Sequence, residues 1–231
     1  GCGGQKASTF ASCAARPQGS GNAVLAIMWA FEKEARQQGF HLIAGIDEAG
    51  RGPLAGPVVS AAVILPASFR VEGVNDSKRL TPQKRETLFT AIYGSAVSVG
   101  VGVVGPKRID EINILQASLT SMAMAVACLA PRPDCLLVDG IFKIDSDLPQ
   151  TPIPKGDSRS VSIAAASIIA KVARDNMMAH YHRRYPQYGF SKHKGYPTKA
   201  HKAAIRAYGC TPIHRRSFKG VKEHVSDGSE A

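Results

Sequence analysis

The chain has 231 residues, with 29 Lys or Arg against 18 Asp or Glu and a net charge of +11. That length suits one domain with tails, and 44% hydrophobic with 20% charged residues is the balance of an ordinary globular protein rather than a disordered one. No apolar run reaches the roughly 18–20 residues a membrane-spanning helix needs, and no collagen period, sustained heptad or internal repeat is present.

Residues 1–26 are rich in Gly, Ser and Ala and aperiodic, and read as a flexible leader. Residues 27–40 read as a short helix ended by Gly39, leading into a domain expected over 41–219, with 220–231 as a flexible tail. Strands are expected over 42–47 and over 58–65, the second bounded by Pro57 and Pro66. Thr81 as a cap with Pro82 at the first helical position predicts a helix to about Tyr93, stopping at Gly94. Residues 97–104 (VSVGVGVV) alternate with period two and read as a third strand. A helix follows over about 112–129, then a buried strand over 135–138 that ends at Asp139-Gly140, then a short strand over 152–155. A long helix over 160–185 is apolar nearly all round in its first half and basic in its second. A last helix runs over 198–208, capped by Thr198 and stopped by Gly209. This order argues for an α/β domain with a mixed sheet flanked by helices.

The charge is unevenly placed. Residues 1–154 carry 14 basic and 13 acidic side chains, whereas 155–224 carry 15 and 3. Such a stretch is what a surface facing phosphates needs; a solvated basic face without a partner is the plainer alternative. Five cysteines, an odd number with no C-x-x-C pair, fit reduced thiols in a cytoplasmic protein. Cys128 and Cys135 are expected to pack as small hydrophobes, and Met122, Met124, Met177 and Met178 to fill the core. His180 and His182 are two apart on a helix and share no face, while His193 and His214 are expected to face phosphate or solvent.

Four acids stand at element ends: Asp47 and Glu48 after the first strand, Asp139 after a buried strand, and Asp157 before the long helix. Carboxylates at the ends of neighbouring strands can converge, and converging like charges need a cation. Hard oxygen ligands select Mg²⁺ or Mn²⁺, and such ions beside a basic surface suggest phosphodiester hydrolysis with two metals. Each acid taken alone also fits a turn or a helix cap. Gly50-Arg51-Gly52 would let the backbone approach a ligand closely while Arg51 reaches a phosphate, although a plain turn fits as well.

The segment GIDEAGRGPLAGP at 45–57 resembles the signature of ribonuclease HII, the type 2 ribonuclease H. NDSKRL at 75–80, IDEIN at 109–113, LVDG at 137–140, KGDS at 155–158 and AAASIIAKVARD at 164–175 continue the resemblance in order. PQYGF at 186–190, HKGYP at 193–197 and HRRSF at 214–218 complete it. The resemblance implies a ribonuclease H-like fold: a mixed five-stranded sheet flanked by helices, with a helical C-terminal extension. It implies cleavage of the RNA strand of RNA–DNA hybrids, incision 5′ of single ribonucleotides in duplex DNA, and a part in removing them. Asp47, Glu48, Asp139 and Asp157 match the metal-binding carboxylates, with Mn²⁺ or Mg²⁺ as cofactor in a two-metal site. Gly50, Arg51 and Gly52 match the loop that reads the ribose 2′-OH and its phosphate, and Tyr196 the tyrosine that stacks on the next deoxyribose. Ser77, Lys78 and Lys155 match positions near the nucleic-acid backbone. The expected partners are RNA–DNA hybrids and ribonucleotide-containing duplex DNA, with no membrane, and the protein is expected to be a monomer. A non-catalytic nucleic-acid-binding domain, or another nuclease on the same fold, are the rival readings; the first would tolerate loss of a carboxylate and the second would lack the Gly-Arg-Gly loop.

Overall fold

A computed structural model of the chain describes residues 27–71, 73, 74, 77 and 80–225; the expected leader, the second half of the expected tail, and Lys78 lie outside these residues. Five strands form one sheet in the order β3-β2-β1-β4-β5. They are β1 (Ile43–Ala49), β2 (Val58–Ile64), β3 (Ser98–Val104), β4 (Cys135–Asp139) and β5 (Gln150–Ile153). β2 pairs antiparallel with both β1 and β3, whereas β1, β4 and β5 run parallel. Every residue of β2 is buried, because helices cover both faces of the sheet at its centre.

One face is covered by the 24-residue helix α4 (Val161–Arg184) and by α2 (Pro82–Ser95), whose N-cap Thr81 accepts the N–H of Lys84. Their Leu88, Ile92, Ala165 and Ile168 pack on Ala61 and Val63 of the sheet. On the other face α3 (Pro106–Ala127) sets Met122 and Ala125 against Ala44, Ile46, Leu136 and Val138. At Gly45 α4 comes close to β1: a Cβ there would run into the backbone of Ser162 and Ile163. The short helix α1 (Ala30–Gln37) packs Ala35 against Ile43, Cys135 and Ile163.

The element order matches the sequence expectation, with informative differences. α3 starts at Pro106, earlier than expected, and is broken at Asn113 (φ 67°). The Oδ1 of Asn113 accepts the N–H groups of Leu115 and Gln116, so the expected start near 112 is the cap of the second helical segment. α2 runs through Gly94 to Ser95. Cys128 is exposed rather than packed, since it sits at the C-cap of α3, and Met124 lies on the outer side of that helix.

After α4 the chain builds a small second core from α5 (Phe190–His193), α6 (Lys199–Tyr208) and the segment that follows. Tyr188, Phe190, Ile205, Ile213 and Val221 enclose Leu54, Ala55 and Met178. His214 belongs to this core and is 2% exposed, contrary to the expectation that it faces phosphate or solvent. His193 is half-buried, with its Nε2 bonded to the carbonyl of Tyr188. A basic sequence context suggested exposure, but both imidazoles are turned inward by backbone partners.

Candidate active site

Side chains alternate across a strand, so positions two apart share a face. In β4, Leu137 packs under α4 while Val138 packs under α3, which puts Asp139 on the α4 face. In β1, Ile43 and Ile46 divide in the same way and place Asp47 on that face too. The strands are parallel neighbours with Ile46 opposite Val138, so the two aspartates end side by side at the carboxyl edge of the sheet. Glu48 joins them, and carboxylate oxygens of Asp47, Glu48 and Asp139 all lie within 4.8 Å of one another. The convergence expected from the sequence is present for these three. Asp157 lies outside that group, on the Gly156–Ser158 turn, and is buried. The turn is tied to the group by its neighbour, since the Gly156 N–H donates to Asp139 Oδ1 at 2.6 Å.

Asp47 is 4% exposed. Burial first, then the charges of Glu48 and Asp139, raise its carboxyl well above the usual carboxylate range, against opposing bonds from Ser167 and the Glu48 N–H. A divalent cation relieves that repulsion, and three clustered oxygen donors fit a hard ion such as Mg²⁺ or Mn²⁺.

Beside this group the residues 48–52 line a cleft of about 180 Å³ together with Ser77, Ser167, Lys171, Arg174 and Tyr196. The expected loop and the expected tyrosine therefore share one depression with Glu48. Gly50 sits at φ +101°, and a Cβ there would strike the Arg174 side chain, so the turn requires glycine. A Cβ placed at Gly52 would lie 3.7 Å from Tyr196 Cε1, in ordinary contact with the ring edge. Tyr196 is 43% exposed. Arg51 is exposed and leans on Glu48 at 3.4 Å, an ion pair weak enough to yield to a phosphate.

Ser77 lines the cleft, but its hydroxyl is engaged by Ser167 at 2.7 Å. Lys155, at φ 56°, is exposed at the start of the Gly156–Ser158 turn, on the Asp139 side and not among the residues that line the cleft. The sequence reading missed Ser167, Lys171 and Arg174. They recur at helical spacing on a helix read as apolar, and that polar stripe was the available signal. Lys171 bonds Asp175 at 2.7 Å, while burial pulls its ammonium below the ordinary lysine range. Two buried arginines brace the loop from behind. Arg174 donates to the carbonyls of Pro57, Ala55 and Lys194, and Arg215 to those of Gly56, Arg51 and Gly50.

A family model described as Ribonuclease HII matches residues 44–221 of the chain. A protein named Ribonuclease HII from Geobacter sulfurreducens is 58% identical over 200 residues, which is 87% of this chain and 92% of that one. A protein of the same name from Geotalea uraniireducens is 59% identical over 195 residues, covering 84% and 90%. Among solved structures, ribonuclease H2 from Pyrococcus horikoshii has a TM-score of 0.67 at 29% identity, covering 79% of this chain and 96% of that one.

Proposed function

The chain belongs to the ribonuclease HII family, and on that premise we propose that it incises duplex DNA 5′ of a single embedded ribonucleotide. Its fold is ribonuclease H-like, and it is a hydrolase that cuts RNA in RNA–DNA hybrids. The finer reading rests on one observation: the Gly50-Arg51-Gly52 loop and Tyr196 line the same cleft as Glu48, beside the three-carboxylate group.

The 2′-OH is the one group that separates RNA from DNA at a single nucleotide, so a reader of one ribonucleotide has to bond it directly. The peptides of the loop are trans, and the carbonyls of Gly50 and Arg51 are committed to Arg215. Planarity then aims the N–H groups of Arg51 and Gly52 away from Arg215 as two donors of fixed direction. Tyr196, beside Gly52, would pack on the following sugar and leave no room for a 2′-OH there. Arg51 would exchange Glu48 for a substrate phosphate.

Asp47, Glu48 and Asp139, joined by Asp157, would hold one or two Mg²⁺ or Mn²⁺ ions. When bound, such ions supply activation of the attacking water and charge stabilisation at the departing 3′ oxygen. The products would be a 5′-phosphate and a 3′-hydroxyl. This activity fits a part in removing ribonucleotides from DNA. Among the described residues no helix is long and apolar enough to cross a membrane.

The test is a cleavage assay on duplex DNA with one ribonucleotide, on all-DNA duplex and on a long RNA–DNA hybrid, with Mg²⁺, Mn²⁺ or EDTA. The expected result is one metal-dependent cut 5′ of the ribonucleotide, with the all-DNA duplex intact. Cleavage of the hybrid alone would keep the carboxylate site and discard the single-ribonucleotide reading.

A further inference from the structure

Arg215 is fully buried, and among the described residues its side chain meets no carboxylate within ion-pair distance. Its donors go instead to three backbone carbonyls: Gly50 at 2.6 Å, Arg51 at 2.9 Å and Gly56 at 3.0 Å. Its ring neighbour is Phe218, 5.1 Å from the guanidinium. Burial and the nearby Arg174 bring the guanidinium down to about 9. A buried cation whose hydrogen bonds all go to carbonyls, with Asp110 attracting it only from beyond ion-pair distance, is a costly arrangement. What it orders is the direction of the loop peptides 50–51 and 51–52.

The preceding residue reaches the other reader. The N–H of Thr211 donates to His214 Nδ1 at 2.9 Å, which leaves the proton of His214 on Nε2. That Nε2–H meets His201 Nε2 at 3.1 Å, and the Nδ1–H of His201 donates to the Tyr196 carbonyl at 2.9 Å. Every acceptor and donor in this relay is assigned by its partner, and the chain works only with both imidazoles neutral. Burial secures that state, pushing each of them down to about 4. His214 is also bridged to Ala55, and the Arg215 N–H bonds the Leu54 carbonyl, so the dipeptide is anchored to the loop through main chain as well.

We infer that His214 and Arg215 form one positioning unit that couples the two halves of the ribose reader, Arg215 aiming the 50–52 amides and His214, through His201, fixing the backbone of Tyr196. The inference rests on the single-ribonucleotide reading above. It assigns the C-terminal extension a part in specificity: neither residue touches the substrate, and both set the spacing between the groups that do. Discrimination between a ribonucleotide–deoxyribonucleotide junction and a continuous hybrid depends on that spacing, whereas hydrolysis itself depends on the carboxylates.

The test compares kcat/KM on the single-ribonucleotide duplex with kcat/KM on a long hybrid for the wild type, Arg215→Lys, His214→Leu and His214→Gln. Arg215→Lys keeps the charge and loses the planar fork; His214→Gln keeps an amide donor near the Nε2 position. We expect Arg215→Lys and His214→Leu to lower the junction-to-hybrid ratio about tenfold or more, with His214→Gln restoring most of it. In a Tyr196→Ala background His214→Leu should have no further effect on the ratio, because the two act in series. A general loss of folding would lower both substrates by the same factor, and near-native circular dichroism of the Lys and Gln variants keeps the comparison valid if His214→Leu fails to fold. A wild type that cuts hybrids but not the single ribonucleotide overturns the reading and the inference together. A wild type that incises the junction, with the ratio unchanged in Arg215→Lys and His214→Gln no closer to wild type than His214→Leu, overturns the inference alone.

Discussion

Asp47 is placed against its own preference. It is buried beside two other carboxylates, and its principal compensations in the protein are the Glu48 N–H at 2.7 Å and the Ser167 hydroxyl. Desolvation and like charge both disfavour the ionised form that a metal site needs. Such a residue lowers the stability of the metal-free protein in exchange for function. Asp47→Asn removes the charge and keeps the shape. It is expected to abolish cleavage, by about 10³-fold or more in kcat, while leaving hybrid binding in place. In EDTA at neutral pH the same variant should melt about 2–4 °C higher, the shift that roughly 1 kcal/mol produces in a domain of this size. Cleavage at the wild-type rate would remove Asp47 from the site. A lower melting temperature in EDTA would mean that burial and repulsion at this position are already relieved in the absence of metal.

At the level of elements, the position of α4 decides what the cleft contains, because Ser167, Lys171 and Arg174 all stand on it. Its N-terminus is fastened from outside by α1. Glu32 is 1% exposed, and its Oε1 accepts from the hydroxyls of Ser160 and Ser162 at 2.6 Å each and from the Ser162 N–H at 3.0 Å. A carboxylate at the first turn of a 24-residue helix bonds orphan donors and meets the positive end of the helix dipole. Glu32→Ala leaves those hydroxyls and the N–H buried without their acceptor. It should cost about 2 kcal/mol, a fall in melting temperature of roughly 4–8 °C, with Glu32→Gln intermediate. An unchanged melting temperature for Glu32→Ala would show that α1 does not hold α4. Nothing in the sequence pointed to this contact. Period-two alternation revealed β3, an apolar β-branched run between prolines revealed β2, and Thr81-Pro82 and Thr198 revealed helix starts, because those signals are local. Glu32 meets Ser160 across 128 residues of chain, and Arg215 meets Gly50 across 165, so neither pairing leaves a periodic trace. The carboxylates were readable for the opposite reason: each stands at the end of an element whose pattern is itself plain, and parallel pairing then joins two of them.

Over the whole molecule, the basic excess of residues 155–224 is carried largely by the part of the chain that folds behind and beside the Gly-Arg-Gly loop. The sequence showed that this stretch was charged but not how the charge divides. Arg174 and Arg215 turn inward and brace backbone, so neither offers its guanidinium to a phosphate on the outer surface. Lys202, Arg206 and Lys219 instead line an open groove of about 500 Å³ that begins at Gly52 and Pro197, next to the candidate active site. A duplex bound with its ribose at Gly52 would continue along this groove. Each phosphate neutralised there releases about 0.9 counterion, so affinity falls steeply with salt, and each lost contact makes that dependence shallower by about one unit of slope. Lys202→Ala with Arg206→Ala should therefore flatten the plot of log affinity against log salt by about two units for any duplex, ribonucleotide or not. The cleavage rate of bound substrate should stay near wild type, because neither residue lines the cleft that holds Glu48 and Tyr196. Binding titrations at several salt concentrations, read beside single-turnover cleavage at saturating enzyme, separate the two effects. A salt slope identical to wild type would move the duplex off this groove, and a matching loss in the single-turnover rate would show that the groove takes part in aligning the scissile bond.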